Sequence, residues 1–204
     1  TMFIPRKNAK TFLASVIMLI LLMTEDDFSE FYSICLDREL ASEVKKAMAQ
    51  IISASPAIKK YFTVPKSLNG KLVCKLTNSF YQPRTASANN NNAIRPSAFI
   101  ADEVGAFTSY ANISAMKSGQ LSVRNPLRFN LTTAYSEDKS IMLKELEYIK
   151  KVYKGIIEDD RMFALLYYAT EEHLWDDIGL EMSNPLRIED NYNEIRDNRK
   201  KALV

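Results

Sequence analysis

The chain has 204 residues, of which 47% are hydrophobic and 25% charged, an ordinary globular balance that suffices for one large domain or a domain with an appendage. A formal net charge of +2 carries no strong nucleic-acid signature, so any DNA contact must come from local patches. His173 is the single histidine, which excludes histidine triads and His-rich metal sites, and the two cysteines lack metal-site spacing.

A short apolar strand, residues 2–4, leads into Pro5-Arg6-Lys7-Asn8-Ala9-Lys10-Thr11, and a strongly apolar run over residues 12–23 follows. Strand, loop and helix with Lys-Thr at the helix start is the context of a phosphate-binding loop. There, backbone N–H groups and the positive end of the helix dipole face an anion. In that reading Lys10 reaches the β/γ-phosphates and the Thr11 hydroxyl binds Mg²⁺. Ile4 and Ala9 stand at the two glycine positions of the standard loop, so the segment alone reads equally well as a charged turn capping a helix. The twelve residues 12–23 are too few to cross a membrane, which takes about twenty. Acidic residues follow them and no cleavage-like site does, against a signal peptide. A run apolar on nearly all sides is expected as a core helix sandwiched against a sheet.

Residues 30–36 read as a strand, and Arg38–Ala54 as an amphipathic helix with Leu40, Val44, Met48, Ile51 and Ile52 on one face. Residues 71–77 and 79–82 read as strands of a hairpin or sheet edge. Cys35 and Cys74 fall inside strand-like runs and are expected as buried thiols in a reducing compartment. Residues 87–92, with four consecutive asparagines, read as a polar loop. The next run, Ser97-Ala-Phe-Ile-Ala-Asp102-Glu103, is a buried strand whose tip carries two carboxylates, at the edge where open α/β sheets bind ligands. Asp102 suits the hydration shell of Mg²⁺, and Glu103 suits orienting and deprotonating a water that attacks the γ-phosphorus. Alone, such a pair is an ordinary solvated strand end. With a Lys-Thr loop about ninety residues upstream, it reads as the second half of a nucleotide site.

A helix is expected over residues 107–118 and a strand over 127–133, ending in Thr132 and Thr133. Strand-end hydroxyls there can sense a γ-phosphate, though β-propensity alone also explains threonine. From Ser136 the texture changes to a charged helix (138–153), an acidic Glu158-Asp159-Asp160, a strand-like 162–169, residues 171–177, and a polar helix, Glu189–Ala202. His173 is expected at an acidic surface, Trp175 as a packing anchor, and Asp159, Asp160, Asp176 and Asp177 as a solvated face. Arg196, Arg199, Lys200 and Lys201 read as a solvated helix end. Alternating strands and helices imply a mostly parallel sheet covered on both faces.

The order Pro5 to Thr11, then Tyr81-Gln-Pro-Arg84-Thr-Ala-Ser-Ala88, Arg95-Pro-Ser-Ala-Phe-Ile-Ala-Asp-Glu103 and Leu131-Thr132-Thr133-Ala134 resembles the tailed-phage terminase large subunit. Tyr167-Tyr168-Ala169, Trp175, Asn184-Pro185 and the closing basic run 196–202 extend the resemblance over nearly the whole chain. The Arg-Lys-Asn-x-Lys-Thr loop, with Arg6 inside it, is a family trait. Members usually have glycine where Ala9 stands, so a Cβ is added where backbone approaches phosphate.

The resemblance implies a RecA-like P-loop NTPase core of the additional-strand type over residues 1–135, and a small lid subdomain over 136–185. Residues 186–204 would be a C-terminal helix and the start of a linker to a ribonuclease-H-type nuclease domain not in this sequence. The chain is expected to be an excised ATPase domain, truncated at both ends. It implies hydrolysis of ATP with Mg²⁺ to drive viral double-stranded DNA into a procapsid, with nuclease activity belonging to the full-length protein. Pro5, Arg6, Lys7, Asn8, Ala9, Lys10 and Thr11 would bind nucleotide, Thr11 and Asp102 the metal, and Glu103, Arg6 and Lys10 would carry catalysis. Thr132 and Thr133 would couple hydrolysis to movement. An arginine completing a neighbour's site in the ring is sought at Arg95 or Arg84. Implied partners are double-stranded DNA, the portal protein and the small terminase subunit, with a homo-oligomeric ring, expected as a pentamer, when docked and a monomer in isolation. No membrane partner is implied, and the implied location is the bacterial host cytoplasm. Two other readings stand beside it: another P-loop DNA translocase or helicase ATPase, or a catalytically silent docking module with a degenerate loop.

Overall fold

The computed structural model describes residues 1–85, 91, 93–135 and 138–202. Side-chain alternation along the central strands divides the interior into two cores. In β2 (Glu30–Cys35) and β6 (Pro96–Asp102), Phe31, Ala98 and Ile100 face one side, and Tyr32, Ile34, Phe99 and Ala101 face the other. Burial on both faces is why these strands are near-continuous apolar runs, as parallel strands under helices must be. The other strands are β1 (Met2–Phe3), β3 (Phe62–Thr63), β4 (Leu72–Cys74), β5 (Ser79–Thr85), β7 (Leu127–Thr132) and β8 (Leu165–Leu166).

Together they form an eight-stranded sheet ordered β3-β4-β5-β2-β6-β7-β1-β8. The run from β5 to β8 is parallel, and β3 and β4 add an antiparallel edge, in which β4 and β5 form the hairpin expected at residues 71–82. β7 lies between β1, which feeds the Lys-Thr loop, and β6, which carries the carboxylates. This is the expected additional-strand architecture, a mostly parallel sheet with helices on both faces. It places residues 4–11, 102–103 and 132–135 side by side at one edge.

On the first face, α1 (Lys10–Thr24) and α2 (Arg38–Ala54) bury Ala14, Met18, Leu19 and Leu22 against Val44, Met48 and Ile52. Each fully buried side chain of this size is worth about 1.5–3 kcal/mol. α1 is not sandwiched as expected: Phe12, Leu13 and Ile20 are 54%, 43% and 55% exposed, because only one of its faces meets the sheet and α2. Leu40 is likewise exposed at the start of α2, whose buried stripe includes Val44, Met48 and Ile52. The short α3 (Pro56–Lys59) follows.

On the second face, α4 (Ala111–Gly119) and α5 (Ile141–Tyr153) bury Ile113, Met116, Ile141, Met142 and Ile149. α4 starts later than expected because a 3₁₀ turn, Val104–Ala106, follows the carboxylates. Of the strand-like residues 162–169, only Leu165–Leu166 pair, with β1. α5 and β8 therefore belong to the sheet body, although both lie within the stretch 136–185. Two more helices, α6 (Asp177–Ser183) and α7 (Glu189–Ala202), close the chain.

Cys35 and Cys74 are buried free thiols. Trp175, expected as a packing anchor, is instead 59% exposed, since the chain around it runs as turn and 3₁₀ helix and leaves the ring at the surface. The polar loop expected at residues 87–92 lies outside the described residues apart from Asn91, as does Ser136. Among the described residues no helix is long and apolar enough to cross a membrane.

Candidate active site at the carboxyl edge of the sheet

Beyond β1 the chain turns through residues 5–9 into α1, and the turn requires left-handed backbone at Lys7 (φ 63°) and Ala9 (φ 55°). Ala9 thus holds the conformation that glycine adopts freely, and alanine meets a steric cost there. As N-cap of α1 it offers no side-chain acceptor, so the helix's first-turn N–H groups are left for an external anion. Asn8 braces the turn from inside. It is buried, and its Nδ2 donates to Pro5 O at 3.3 Å and Arg6 O at 3.1 Å.

β6 delivers the two carboxylates. Lys10 Nζ lies 2.8 Å from Glu103 Oε1 and 3.4 Å from Asp102 Oδ1. Asp102 is buried, which pushes its carboxyl above the ordinary range, while Lys10 pulls it down. Glu103 sits at φ 54°, a left-handed position for a side chain, and its N–H donates to Asp102 Oδ1 at 2.9 Å. Strain of this kind, about 1–3 kcal/mol, persists only where surroundings over-determine it.

The two threonines at the end of β7 are placed differently. Thr132 is fully buried; its Oγ1 accepts from Gly105 N at 2.8 Å and donates to Thr133 O at 2.8 Å. Thr133 Oγ1 faces the carboxylates, 3.5 Å from Glu103 Oε2. Gly105 makes this packing possible, because a Cβ there would fall 2.5 Å from Tyr135 Cδ2 and 2.8 Å from Thr132 Oγ1. The Tyr135 phenol meets both the Glu103 carboxylate and the Arg6 guanidinium. Burial, then Glu103, push that phenol above its ordinary range.

Sequence reasoning missed Tyr135 and Gly105. A glycine two residues past the carboxylates, in a chain with only five, was the available signal. Asn184 was noticed only as part of Asn184-Pro185. It is buried, and its Oδ1 accepts from Asn8 Nδ2 at 2.9 Å.

Two cavities meet here. One, of about 430 Å³, is lined by Arg6, Ala9, Lys10, Thr11, Glu103 and Tyr135 among others. The second, of about 600 Å³, is more apolar, with Phe3, Tyr135, Tyr167, Tyr168 and Leu174 on its walls. Arg6 and Tyr135 line both.

The other candidates lie apart. Arg84, near the carboxyl end of β5, reaches Asn91 Oδ1 at 3.3 Å and lies over the Tyr32 ring at 5.4 Å. Arg95 precedes β6, at the opposite edge of the sheet, and donates to Ser122 O at 2.9 Å. Neither lines the cavity that holds Lys10 and Glu103. Of the closing basic cluster, Arg196 is paired with Asp177 and Glu189, and Arg199 approaches Asp177 at 3.8 Å.

The family model of the terminase large subunit ATPase domain matches residues 1–151. No curated protein matches the sequence. Among solved structures, the large terminase of bacteriophage HK97 superposes on 98% of this chain with a TM-score of 0.82 at 22% identity. The large terminase of a thermophilic bacteriophage covers 92% of this chain with a TM-score of 0.63 at 11% identity. Another crystal form of that thermophilic phage protein, in complex with ATP-gamma-S, covers 78% with a TM-score of 0.51 at 10% identity. The chain spans only 43%, 41% and 44% of those three solved chains, and at these identities the likeness is one of fold.

Proposed function

Because the chain belongs to the terminase large subunit ATPase domain family, we propose that it binds ATP at residues 5–11 and hydrolyses it, as the motor that drives viral double-stranded DNA into a procapsid. The observation that carries this reading is the convergence of Lys10, Asp102 and Glu103 beside an uncapped helix N-terminus, where Lys10 and Glu103 line a cavity of about 430 Å³. The triphosphate would occupy that cavity, and its nucleoside end would extend past Arg6 and Tyr135 into the aromatic cleft.

Lys10 now holds Glu103, so phosphate must draw the ammonium away before Glu103 is free to take a proton from water. Arg6, which lines both cavities, would meet charge developing on the γ-phosphoryl group. The Thr11 hydroxyl and the Asp102 carboxylate would supply oxygen donors only, the chemistry that suits Mg²⁺. Bound there, the ion would neutralise charge between the β- and γ-phosphates. Ala9 supports an active loop against a silent one, since it takes up the glycine conformation despite its Cβ. Docking as a ring on a portal protein, with a small terminase subunit and a nuclease domain in the complete protein, belongs to the same reading.

Glu103→Gln keeps the shape and removes the base. Its ATP-gamma-S affinity should stay close to wild type, while turnover falls about 10²–10⁴-fold. A variant that hydrolyses ATP at the wild-type rate would overturn the assignment.

A further inference from the structure

We propose that the C-terminal helical segment locks the phosphate loop through the buried pair Asn8–Asn184, which makes Asn184 a positioning residue for the nucleotide site. The strained turn is the starting point. Lys7 and Ala9 both hold left-handed backbone with a Cβ present. Such a turn keeps one shape only when its surroundings over-determine it, and the side chain buried inside it is Asn8.

The Asn8 amide is shared between loop and C-terminal segment. Nδ2 serves Pro5 O and Arg6 O at 3.3 and 3.1 Å, and Asn184 Oδ1 at 2.9 Å. Oδ1 accepts from Leu186 N at 3.4 Å. Asn184 is held in turn: its Nδ2 donates to Leu180 O at 3.1 Å and Ser183 Oγ at 3.0 Å, and its main-chain O accepts from Tyr192 OH at 3.3 Å. Rotating the Asn184 amide would set two NH₂ groups against each other, so both orientations are determined by the network.

The pair therefore links the loop to the end of α6 and to α7 across 176 positions of sequence. At the surface, Lys7 to Glu194 at 2.6 Å adds a second tie to α7. Buried amides that satisfy one another are costly to separate. Coupling of this kind is reciprocal, so what moves the loop must also move the segment.

Hydrogen exchange on the 204-residue chain without nucleotide tests the lock directly. Asn184→Ala should accelerate exchange at amides 13–16, the first hydrogen-bonded amides of α1, together with those of α7, by about tenfold or more. The double variant with Asn8→Ala should exchange no faster than the worse single. Acceleration confined to α7, or effects of the two singles that multiply, would overturn the proposal. If Asn184→Ala fails to fold, Asn8→Ala read at amides 180–192 decides: about tenfold acceleration there supports the lock, and a wild-type rate overturns it.

The nucleotide consequence rests on the ATPase reading and is measured separately. ATP-gamma-S should slow exchange at 184–194 in wild type, and Asn184→Ala should weaken its binding about fivefold or more. Wild-type affinity in that variant would overturn the positioning role. A wild-type chain that does not bind ATP-gamma-S sinks the ATPase reading, while the nucleotide-free exchange still decides the lock.

Discussion

The hydroxyl of Thr132 is already committed between Gly105 N–H and Thr133 O, whereas that of Thr133 sits at the edge of hydrogen-bond reach from Glu103. A coupling role needs a contact that differs before and after hydrolysis, and only Thr133 is free to make one. Thr133→Val should bind ATP near normally and lose coupling, read as ATP turnover no longer stimulated by DNA and capsid. Thr132→Val leaves a buried N–H without its acceptor and should lower stability by about 1–3 kcal/mol. The reverse pattern, with Thr132→Val stable and uncoupled, would sink the assignment. Ala9 makes a separate forecast. Relief of left-handed strain is worth about 1–2 kcal/mol, offset by about 0.4–1 kcal/mol of extra freedom in the unfolded chain. Ala9→Gly should therefore raise the melting temperature by about 2–4 °C for each net kcal/mol gained; a lower melting temperature would show that the turn is not strained. Lys10, Asp102 and Glu103 were legible in the sequence because each ends or begins an element with a strong local pattern. Tyr135 was not, because its value comes from packing on Gly105 and from touching Arg6 and Glu103, which lie far away in sequence.

At the level of elements, α6 is held by an acid–histidine cap. Asp176 Oδ1 accepts from Gly179 N at 3.0 Å, and Asp176 Oδ2 lies 2.7 Å from His173 Nδ1. Gly179 allows the helix to sit directly on the chain below it, since a Cβ there would fall 1.9 Å from His173 O. The hydrogen bond to Asp176 raises the pKa of His173 above 6.5, and the same bond lowers that of Asp176 below 3.8. The folded state therefore holds the imidazole proton more tightly than the unfolded state. The stabilisation is fully present below pH 6.5 and is lost as pH rises through the raised folded value. At the acid end, the Asp176 contribution is present above 3.8 and is lost as pH falls through its lowered value. With one histidine in the chain, its NMR titration is unambiguous and should show a midpoint above 6.5. The stability difference between wild type and His173→Gln should shrink as pH rises from 6.5 through that raised midpoint. A midpoint at or below the ordinary value would mean that the pair does not form in solution. The boundaries of α2 followed directly from its 3.6-residue pattern, and the polar helix expected over Glu189–Ala202 is α7, whereas α1 misled: a run apolar on all sides reads as buried whether or not anything covers its outer face.

For the whole molecule, the decisive feature is that β7 lies between β1 and β6. That order aligns three strand ends, so the loop, the threonines and the carboxylates share one edge, and it sends Arg95 to the opposite one. The sequence by itself determined most of the strands and helices, that the sheet is mostly parallel with two covered faces, and that a Lys-Thr pair opens a helix while an Asp-Glu pair follows a buried strand. Those features are local, because periods of two and 3.6 residues and a strand–loop–helix junction are written in neighbouring residues. Only the tertiary structure decided which threonine faces Glu103, that Tyr135 lines both cavities, that Trp175 stays exposed, and that α5 packs on the sheet and β8 pairs with β1. It also decided that Asn184 closes on Asn8, 176 positions away. These are pairings between distant segments, set by strand order and by the seating of helices on the sheet, and a local pattern is the same whichever distant partner fills the space beside it.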